Sequence, residues 1–314
     1  SASFLPLDEG GCTPSFTYFG HTATTLASGK VLIAGGTGSN SALRQAELFN
    51  PSSGTRGCFT VVAGVMTAAR TNHMAAPIVG GLLGGRVLLM GGDNLKSTEV
   101  FDGNFGIFAA GPDMTTERAN ATVVTLANNK ILVLGGLSGS TPLASAEVFD
   151  PATGAFTATG SMATARSGAL AKLLSNGTVM VFGGTNNDST PSQTQGLKTI
   201  EVYNPSTGLF TSFSGTTDYR KDFSLAALSD GRLLLSGGAI GATTDLLDPA
   251  LGAILTLAGK AGTPGYTFSV TSGTATLAAD NVTLFLSSTP QQIVLQVKDS
   301  LNETATTTLT TVAQ

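Results

Sequence analysis

Short apolar runs that end in a pair of glycines recur along most of this chain. Five runs of six residues share this pattern: VLIAGG (31–36), VLLMGG (87–92), ILVLGG (131–136), VMVFGG (179–184) and LLLSGG (233–238). Runs this short, rich in aliphatic residues and closed by glycine, predict buried β-strands. The first glycines lie 56, 44, 48 and 54 residues apart. This period is that of a four-stranded propeller blade and not of a helical solenoid.

A second pattern follows each glycine pair after a loop of variable length. Its five copies are AELFNPSSG (46–54), TEVFDGNFG (98–106), AEVFDPATG (146–154), IEVYNPSTG (200–208) and TDLLDPALG (244–252). Four copies carry Glu at the second position, and the fifth carries Asp245. Asn or Asp followed by Pro and Gly is typical of a turn. The sequence therefore predicts that a third strand ends there and that a fourth begins at Phe59, Phe108, Phe156, Phe210 or Ile254.

An arginine precedes each of the last four glycine pairs. Arg118, Arg166 and Arg220 lie 17 residues before the following first glycine, and an insertion (GGLLGG, 80–85) extends that offset to 21 for Arg70. In the first repeat the same offset falls on Tyr18. Charged residues that recur once per repeat indicate a structural contact, because catalysis needs one asymmetric arrangement. We expect structural pairs from this set: Glu47, Glu99, Glu147, Glu201, Arg70, Arg118, Arg166 and Arg220. One or two of the arginines lining the axial opening and meeting an anionic group is the alternative.

Together these motifs resemble the kelch repeat, although the chain has no Trp where that family often has one. The resemblance covers roughly residues 16–258 and implies an all-β, kelch-type β-propeller with five recognisable four-stranded blades. Six or seven blades are usual in the family, so a missing blade or a contribution from a partner stays open. The segment 1–10 contains SFLPL (3–7), which we predict to close the ring as a strand of the last blade, since an open edge invites aggregation.

From residue 259 onward the glycine-pair pattern stops, and apolar and hydroxyl residues alternate with period two. The stretches GTPGYTFSVTSG and VKDSLNETATTTLTTV resemble bacterial immunoglobulin-like or cadherin-like modules. We therefore predict a propeller over 1–258 and a small C-terminal β-sandwich over 259–314. About 100 residues are typical of such a sandwich, so either ILTLAG (254–259) provides its first strand or the sandwich is incomplete.

The composition of the chain indicates which partners it can bind and in which compartment it is found. Only 11% of residues are charged and the net charge is −4, so we expect no nucleic-acid partner. No apolar run is long enough to span a membrane, and we expect a secreted or cell-surface protein whose signal peptide is absent from this chain. The only cysteines, Cys12 and Cys58, are expected to form a disulfide that pins the N-terminal segment to the first repeat. Two free buried thiols are the alternative.

Histidines are too few for most catalytic or metal sites. His21 and His73 are the only two, and a hydrogen-bonded structural role is expected for His21. Kelch-like propellers include copper-radical oxidases, which require paired His and Tyr ligands with a Tyr-Cys crosslink, and this sequence lacks the His pair. We expect no metal, no cofactor and no enzymatic activity. A metal-independent sugar-modifying enzyme, like the epimerases that share this propeller, is a less favoured alternative, with Tyr18 and Arg44 as its nearest candidates.

Variable loops are the strongest functional signal in the sequence. In an up-and-down blade, the loops after the glycine pairs and the connections between blades emerge on one face, and binding sites are commonly placed on such loops. The longest loop, 185–198, and the first loop supply the predicted ligand-binding residues: Asn186, Asn187, Asp188, Gln193, Gln195 and Arg44. A solvated insertion is the alternative for this loop. We predict a non-enzymatic recognition or adhesion protein that binds a glycan or protein surface. The alternative is a filament subunit that binds copies of itself by strand exchange through its ends.

Overall fold

The computed structural model describes residues 12–39, 41–54, 57–186, 196–213, 215–216, 218–238 and 244–249, with the backbones of the later strands between 253 and 310. The described residues form strands and no helix, and none of them makes a helix that could cross a membrane. The chain divides into two compact units, Ser1–Ala258 and Gly259–Gln314.

Five four-stranded antiparallel sheets make up the first unit. Blade 1 contains β1 (Thr22–Thr25), β2 (Val31–Ala34), β3 (Ala46–Asn50) and β4 (Cys58–Val61); blade 2 contains β5 (Met74–Pro77), β6 (Val87–Met90), β7 (Thr98–Asp102) and β8 (Ile107–Ala110); blade 3 contains β9 (Thr122–Thr125), β10 (Ile131–Leu134), β13 (Ala146–Asp150) and β14 (Ala155–Ala158), with the hairpin β11 (Leu137–Ser138) and β12 (Thr141–Pro142) in its loop; blade 4 contains β15 (Leu170–Leu173), β16 (Val179–Phe182), β17 (Ile200–Asn204) and β18 (Leu209–Phe213); blade 5 contains β19 (Ser224–Ala227), β20 (Leu233–Ser236), β21 (Thr244–Asp248) and β22 (Ala253–Leu257).

The register of each blade follows from its repeated motifs. In blade 3, Val133 pairs with Glu147, and Glu147 pairs in turn with Ala158. The aromatic residue that opens the fourth strand lies opposite the aromatic residue of the third strand, as in Phe149 and Phe156, whose ring centroids are 5.1 Å apart. Such cross-strand aromatic pairs stabilise a sheet. The prediction of five four-stranded blades is confirmed.

Apolar side chains fill four of the junctions between consecutive blades. The clusters join blades 1 and 2, 2 and 3, 3 and 4, and 4 and 5. The methionine that precedes the arginine is buried in three of them: Met66, Met114 and Met162. Met is suited to such irregular gaps because its side chain is flexible and polarisable.

The first glycine of each pair allows the next blade to approach closely. A Cβ on Gly35, Gly91, Gly135 or Gly183 would lie 2.3–2.5 Å from the carbonyl oxygen of Arg70, Arg118, Arg166 or Arg220. Gly237, in blade 5, has no described residue within 4 Å of the same position. Among the described residues, the first glycine is therefore a packing requirement at four junctions and not at the fifth.

The fifth junction, between blades 5 and 1, is packed more sparsely in the described part of the chain. No apolar cluster there joins the two blades, and Val31 and Ile33 are half-buried although their blade 3 counterparts, Ile131 and Val133, are fully buried. On blade 5, Ser236 is exposed. Among the described residues, blades 1 and 5 therefore bury less apolar surface at the junction between them than the other blades bury at theirs.

Two glycine substitutions compare a filled junction with the fifth one. Both Gly135 and Gly237 have positive φ, at 62° and 79°, so Ala carries a similar backbone cost of about 1–2 kcal/mol at either site. Only at Gly135 does the added methyl also meet a backbone carbonyl, 2.4 Å away. We expect Gly135→Ala to lower the free energy of unfolding by about 1–3 kcal/mol more than Gly237→Ala does. Urea unfolding of both variants measures the difference, and equal losses would contradict this account of the glycine pairs.

The disulfide prediction is confirmed. Cys12 and Cys58 are joined, with their Cα atoms 4.7 Å apart, so the segment before blade 1 is fixed to the outer strand β4. The predicted closing strand, 1–10, lies outside the described residues. In blade 5 all four strands, β19 to β22, come from the blade's own repeat.

The described backbones of the second unit form five strands: β23 (Thr267–Ser272), β24 (Ala275–Leu277), β25 (Leu284–Leu286), β26 (Gln292–Lys298) and β27 (Thr304–Thr310). They form one three-stranded antiparallel sheet in the order β23-β26-β27 and one pair, β24-β25. A register shift interrupts the pairing of β23 between Val270 and Ser272. An immunoglobulin-like sandwich stays a prediction for this unit.

Candidate functional site

The glycine-pair loops and the blade connections meet on one face of the propeller, which we call the loop face. The second glycine of a pair donates its N–H to the carbonyl of the arginine that enters the next blade, as in Gly36 to Arg70 (2.7 Å) and Gly136 to Arg166 (2.9 Å). The residues just before each inner strand then run beside these loops. Phe19, for example, exchanges two backbone hydrogen bonds with Thr37, which follows the pair of its own blade.

Five residues with left-handed backbone geometry mark the blade entrances on this face. Each lies two positions after the arginine or its Tyr18 counterpart: Gly20, Asn72, Asn120, Gly168 and Asp222, with φ between 49° and 67°. Backbone hydrogen bonds of 2.8–2.9 Å link them in series, from Asn72 to Gly20, from Asn120 to Asn72 and from Gly168 to Asn120. Gly, Asn and Asp are the residues that adopt this geometry at least cost.

The recurring arginines are fully buried and do not reach the surface. Arg118 donates to Glu147 from Nε (3.1 Å) and Nη2 (3.0 Å), and to the carbonyl oxygens of Gly135 and Ser145 from Nη1. The backbone N–H groups of Thr115 and Thr116 also donate to Glu147. Equivalent ion pairs join Arg70 to Glu99, Arg166 to Glu201 and Arg220 to Asp245. Burial lowers the pKa of Arg70, Arg118 and Arg166, and the paired carboxylate acts against that shift.

Blade 1 departs from this pattern. Tyr18 occupies the arginine position and donates a hydrogen bond from its hydroxyl to Glu47, which also accepts one from the Ser15 N–H at 2.8 Å. Glu47 is fully buried, yet no cation contacts it among the described residues. Burial and the neighbouring Glu47 carboxylate raise the pKa of the Tyr18 hydroxyl. A neutral donor therefore satisfies in blade 1 the carboxylate that an arginine satisfies in the others.

The two histidines occupy equivalent positions in blades 1 and 2 but differ in environment. His73 is buried, with Nε2 2.9 Å from Thr22 Oγ1, while its Nδ1 has no hydrogen-bond partner among the described residues. His21 is exposed and contacts the Tyr18 ring, with centroids 5.2 Å apart. The hydrogen-bonded structural role expected for His21 is thus played by His73. Burial, with smaller effects from the charges of Arg70 and His21, lowers the pKa of His73 to about 3.

This lowered pKa predicts a pH dependence of folding. An unfolded histidine takes up a proton near pH 6.5, whereas folded His73 stays neutral down to about pH 3. The unfolded state therefore binds one more proton in this window, and stability is lost as the pH falls, by up to about 1.4 kcal/mol per pH unit.

Urea unfolding of the wild type and of His73→Ala is compared from pH 7 to pH 4. The difference between their unfolding free energies isolates the contribution of His73, because all other titrating groups are the same in both proteins. Ala is compatible with the site because blades 3 and 4 carry Ala121 and Ala169 there. We expect the unfolding free energy of His73→Ala to fall less steeply with decreasing pH than that of the wild type, by up to about 1.4 kcal/mol per pH unit, which corresponds to one proton. His21→Ala serves as the control, and a profile unchanged by His73→Ala would contradict the prediction.

The predicted ligand-binding residues fall partly outside the described part of the chain. Asn187, Asp188, Gln193 and Gln195 lie outside it. Asn186 is half-buried, and Arg44 is exposed but donates from Nε to the carbonyl oxygen of Met66 at 2.6 Å. Arg44 therefore fastens its loop to the connection between blades 1 and 2.

Sequence reasoning missed a group of residues around the entrances of blades 1 to 3. Asn72 donates from Nδ2 to Asp93 Oδ1 at 3.3 Å, and Thr37 donates to the Thr71 hydroxyl at 3.1 Å. Phe19, next to them, is 76% exposed. The signal that would have found them is the position one or two residues after the arginine, where the five repeats differ.

A copper centre of the radical-oxidase kind does not fit the residues that the structure describes. No group of three or more His, Cys, Asp or Glu side chains there is arranged to hold a metal ion. Both cysteines are joined to each other, so neither is available to crosslink a tyrosine. The Tyr18 hydroxyl is engaged by Glu47.

Comparison with known proteins agrees with this architecture. The kelch motif matches residues 117–163 and 172–215, and no curated protein matches the chain. A solved structure described as the structure of YjhT is similar with a TM-score of 0.60 and 12% identity, covering 78% of this chain and 85% of that one. A novel fungal alcohol oxidase of the AA5 family, in complex with copper, is similar with a TM-score of 0.59 and 15% identity, covering 95% of this chain and 76% of that one. The chain thus carries kelch motifs and folds as a five-bladed, kelch-type β-propeller, and its fold is similar to that of both solved structures.

Proposed function

We propose that this protein is a non-enzymatic recognition protein that presents its loop face to a protein or glycan surface outside the cell. One contrast carries the proposal. The charged residues that recur are enclosed in buried pairs, as in Arg118 with Glu147, whereas the polar residues that differ between blades lie on the loop face. Binding groups on variable loops of a rigid frame are the usual arrangement for recognition.

The extracellular part of this proposal is supported by the disulfide between Cys12 and Cys58, because such bonds persist in oxidising compartments. Low charge and the hydroxyl-rich composition are compatible with an adhesive surface. Kelch propellers commonly bind proteins, which makes a protein surface an acceptable ligand beside a glycan.

Binding to arrayed glycans and to arrayed extracellular proteins tests the proposal. One variant replaces the polar residues of loop 185–198 by Gly and Ser, and another is Arg44→Ala. The control replaces Ser52 and Thr153, which lie in exposed turns at the opposite ends of the strands, by Gly. We expect the loop variants to lose binding and the control to keep it. A ligand that all variants bind equally would contradict the role of the loop face.

A filament subunit is the second candidate, favoured by the sparse packing at the fifth junction. In that case, strands exchanged through the chain ends would join successive copies. Light scattering of the full chain and of a chain lacking residues 1–10 decides between the two. A polymer that the deletion disperses supports the filament, and a monomer in both cases argues against it.

A further inference from the structure

Six residues linked by hydrogen bonds lie together on the loop face where blades 1, 2 and 3 begin, and we call them the entrance patch. Hydrogen bonds hold its backbone together: Phe19 with Thr37, Asp93 N–H to Thr71, and Asn120 N–H to Asn72. Its members are Phe19, Thr37, Thr71, Asn72, Asp93 and Asn120. We propose that the entrance patch binds a neutral saccharide, an inference that rests on the proposed recognition function and names its ligand class.

The aromatic member supplies the apolar contact that such a ligand needs. Phe19 is 76% exposed, and an exposed aromatic ring is costly to leave in water. The C–H groups of a sugar ring carry slight positive charge and pack well on the negative face of an aromatic ring. Among the described residues, the other large exposed apolar side chains lie elsewhere, on outer strands, a blade connection or the loops and turns at the opposite ends of the strands: Val61, Val65, Val79, Leu82, Phe105, Ile107 and Leu209.

The polar members offer the donors and acceptors that neighbouring hydroxyls require. The bond from Asn72 Nδ2 to Asp93 Oδ1 uses one amide hydrogen and one carboxylate oxygen. A carboxylate oxygen, an amide oxygen and a second amide hydrogen remain on this pair. Asn120, exposed beside it, adds another amide. A planar carboxylate with amides can accept from and donate to two adjacent hydroxyl groups at once.

Charge and shape distinguish this ligand from the alternatives. The entrance patch contains the Asp93 carboxylate and no cation, which disfavours sulfated or sialylated sugars. A protein interface usually centres on several large side chains such as Trp, Tyr or Arg, whereas the entrance patch has one large side chain, Phe19, and five small polar ones. A neutral saccharide needs no cation and can be bound by one aromatic ring with small polar groups.

Binding of the full chain to arrayed neutral gluco-, manno- and galacto-oligosaccharides, beside sulfated and sialylated ones, provides the test. The strongest neutral binder is then titrated calorimetrically against Phe19→Ala, Asn72→Gly and Phe105→Ala. Gly removes the amide of Asn72 and keeps its left-handed backbone, whose φ is 55°. Phe105 is a matched control because it is 75% exposed but lies in the turn between β7 and β8. Since Phe19 is exposed, its loss leaves the fold intact.

We expect Phe19→Ala to weaken binding by about tenfold, Asn72→Gly to weaken it by a similar factor, and Phe105→Ala to leave it unchanged. High salt should have little effect, because the ligand is neutral. The proposal is overturned if no neutral saccharide binds, or if Phe19→Ala and Phe105→Ala bind alike. A protein ligand, or a glycan lost only on changing loop 185–198, would overturn the entrance patch and leave the recognition function standing. No ligand on either array would overturn both.

Discussion

Glu147→Gln is expected to lower the free energy of unfolding by about 3–5 kcal/mol. The Gln amide cannot neutralise Arg118, whose guanidinium is fully buried. Its NH2 group would face a donor in either orientation: the Thr115 N–H if it replaces Oε2, or Arg118 Nε if it replaces Oε1. Breaking one partner of a buried pair is costly because the other charge remains in a medium of low polarity.

Blade 1 provides the matched control for this experiment. Glu47 is equally buried but accepts only from the Tyr18 hydroxyl and the Ser15 N–H among the described contacts. A Gln side chain satisfies both groups, because its oxygen accepts from Ser15 and its NH2 donates to the hydroxyl oxygen. We expect Glu47→Gln to change stability by about 1 kcal/mol or less. Urea unfolding at constant m value measures the free energy of unfolding of both variants. Equal losses would contradict the prediction that a Gln beside a buried arginine is more costly than a Gln beside Tyr18.

Reducing the Cys12–Cys58 disulfide is expected to remove about 4 kcal/mol, from the entropy of closing a loop with a sequence separation of 46 residues. The bond also holds the segment that carries Ser15 and Tyr18 against Glu47. Its loss therefore weakens the contacts of a buried carboxylate as well as the constraint on the unfolded chain.

These cysteines are the only two in the chain, so a reducing agent acts on this bond alone. Unfolding with and without dithiothreitol measures the effect, and the Cys12→Ala/Cys58→Ala protein must be insensitive to the reagent. If the wild type unfolds at the same denaturant concentration in both conditions, the N-terminal segment is not held by the disulfide in any way that matters for stability.

The sequence predicted the blades because their contacts repeat. Gly135 lies 17 residues after Arg118, and the same offset joins Arg166 to Gly183 and Arg220 to Gly237. The acidic partner of each arginine is recognised from its motif, because the loop before it varies in length. Register and the outer-strand turns followed from the same repetition. The disulfide was predictable because only two cysteines were available.

The candidate site was less predictable because it depends on what does not repeat. The juxtaposition of Asn72 with Asp93 arises from a blade entrance meeting the loop of its own blade, 21 residues later. Nothing in the local sequence indicates that His73 is the buried histidine and His21 the exposed one. His73 lies beside the neighbouring blade, where strand β1 places the Thr22 hydroxyl 2.9 Å from its Nε2. Contacts of this kind require the three-dimensional arrangement of two blades.

Because the fifth junction is sparse among the described residues, we expect the propeller to respond to denaturation as a row of blades with two ends and not as an uninterrupted circle. In a row, each unit gains stability from its neighbours, and the end units have one neighbour fewer. Blade 1 is reinforced at its end by the disulfide, whereas blade 5 has no such bond, since both cysteines are used. Fraying should therefore start from blade 5, and amide hydrogens on β20 should exchange with solvent sooner than those on β10.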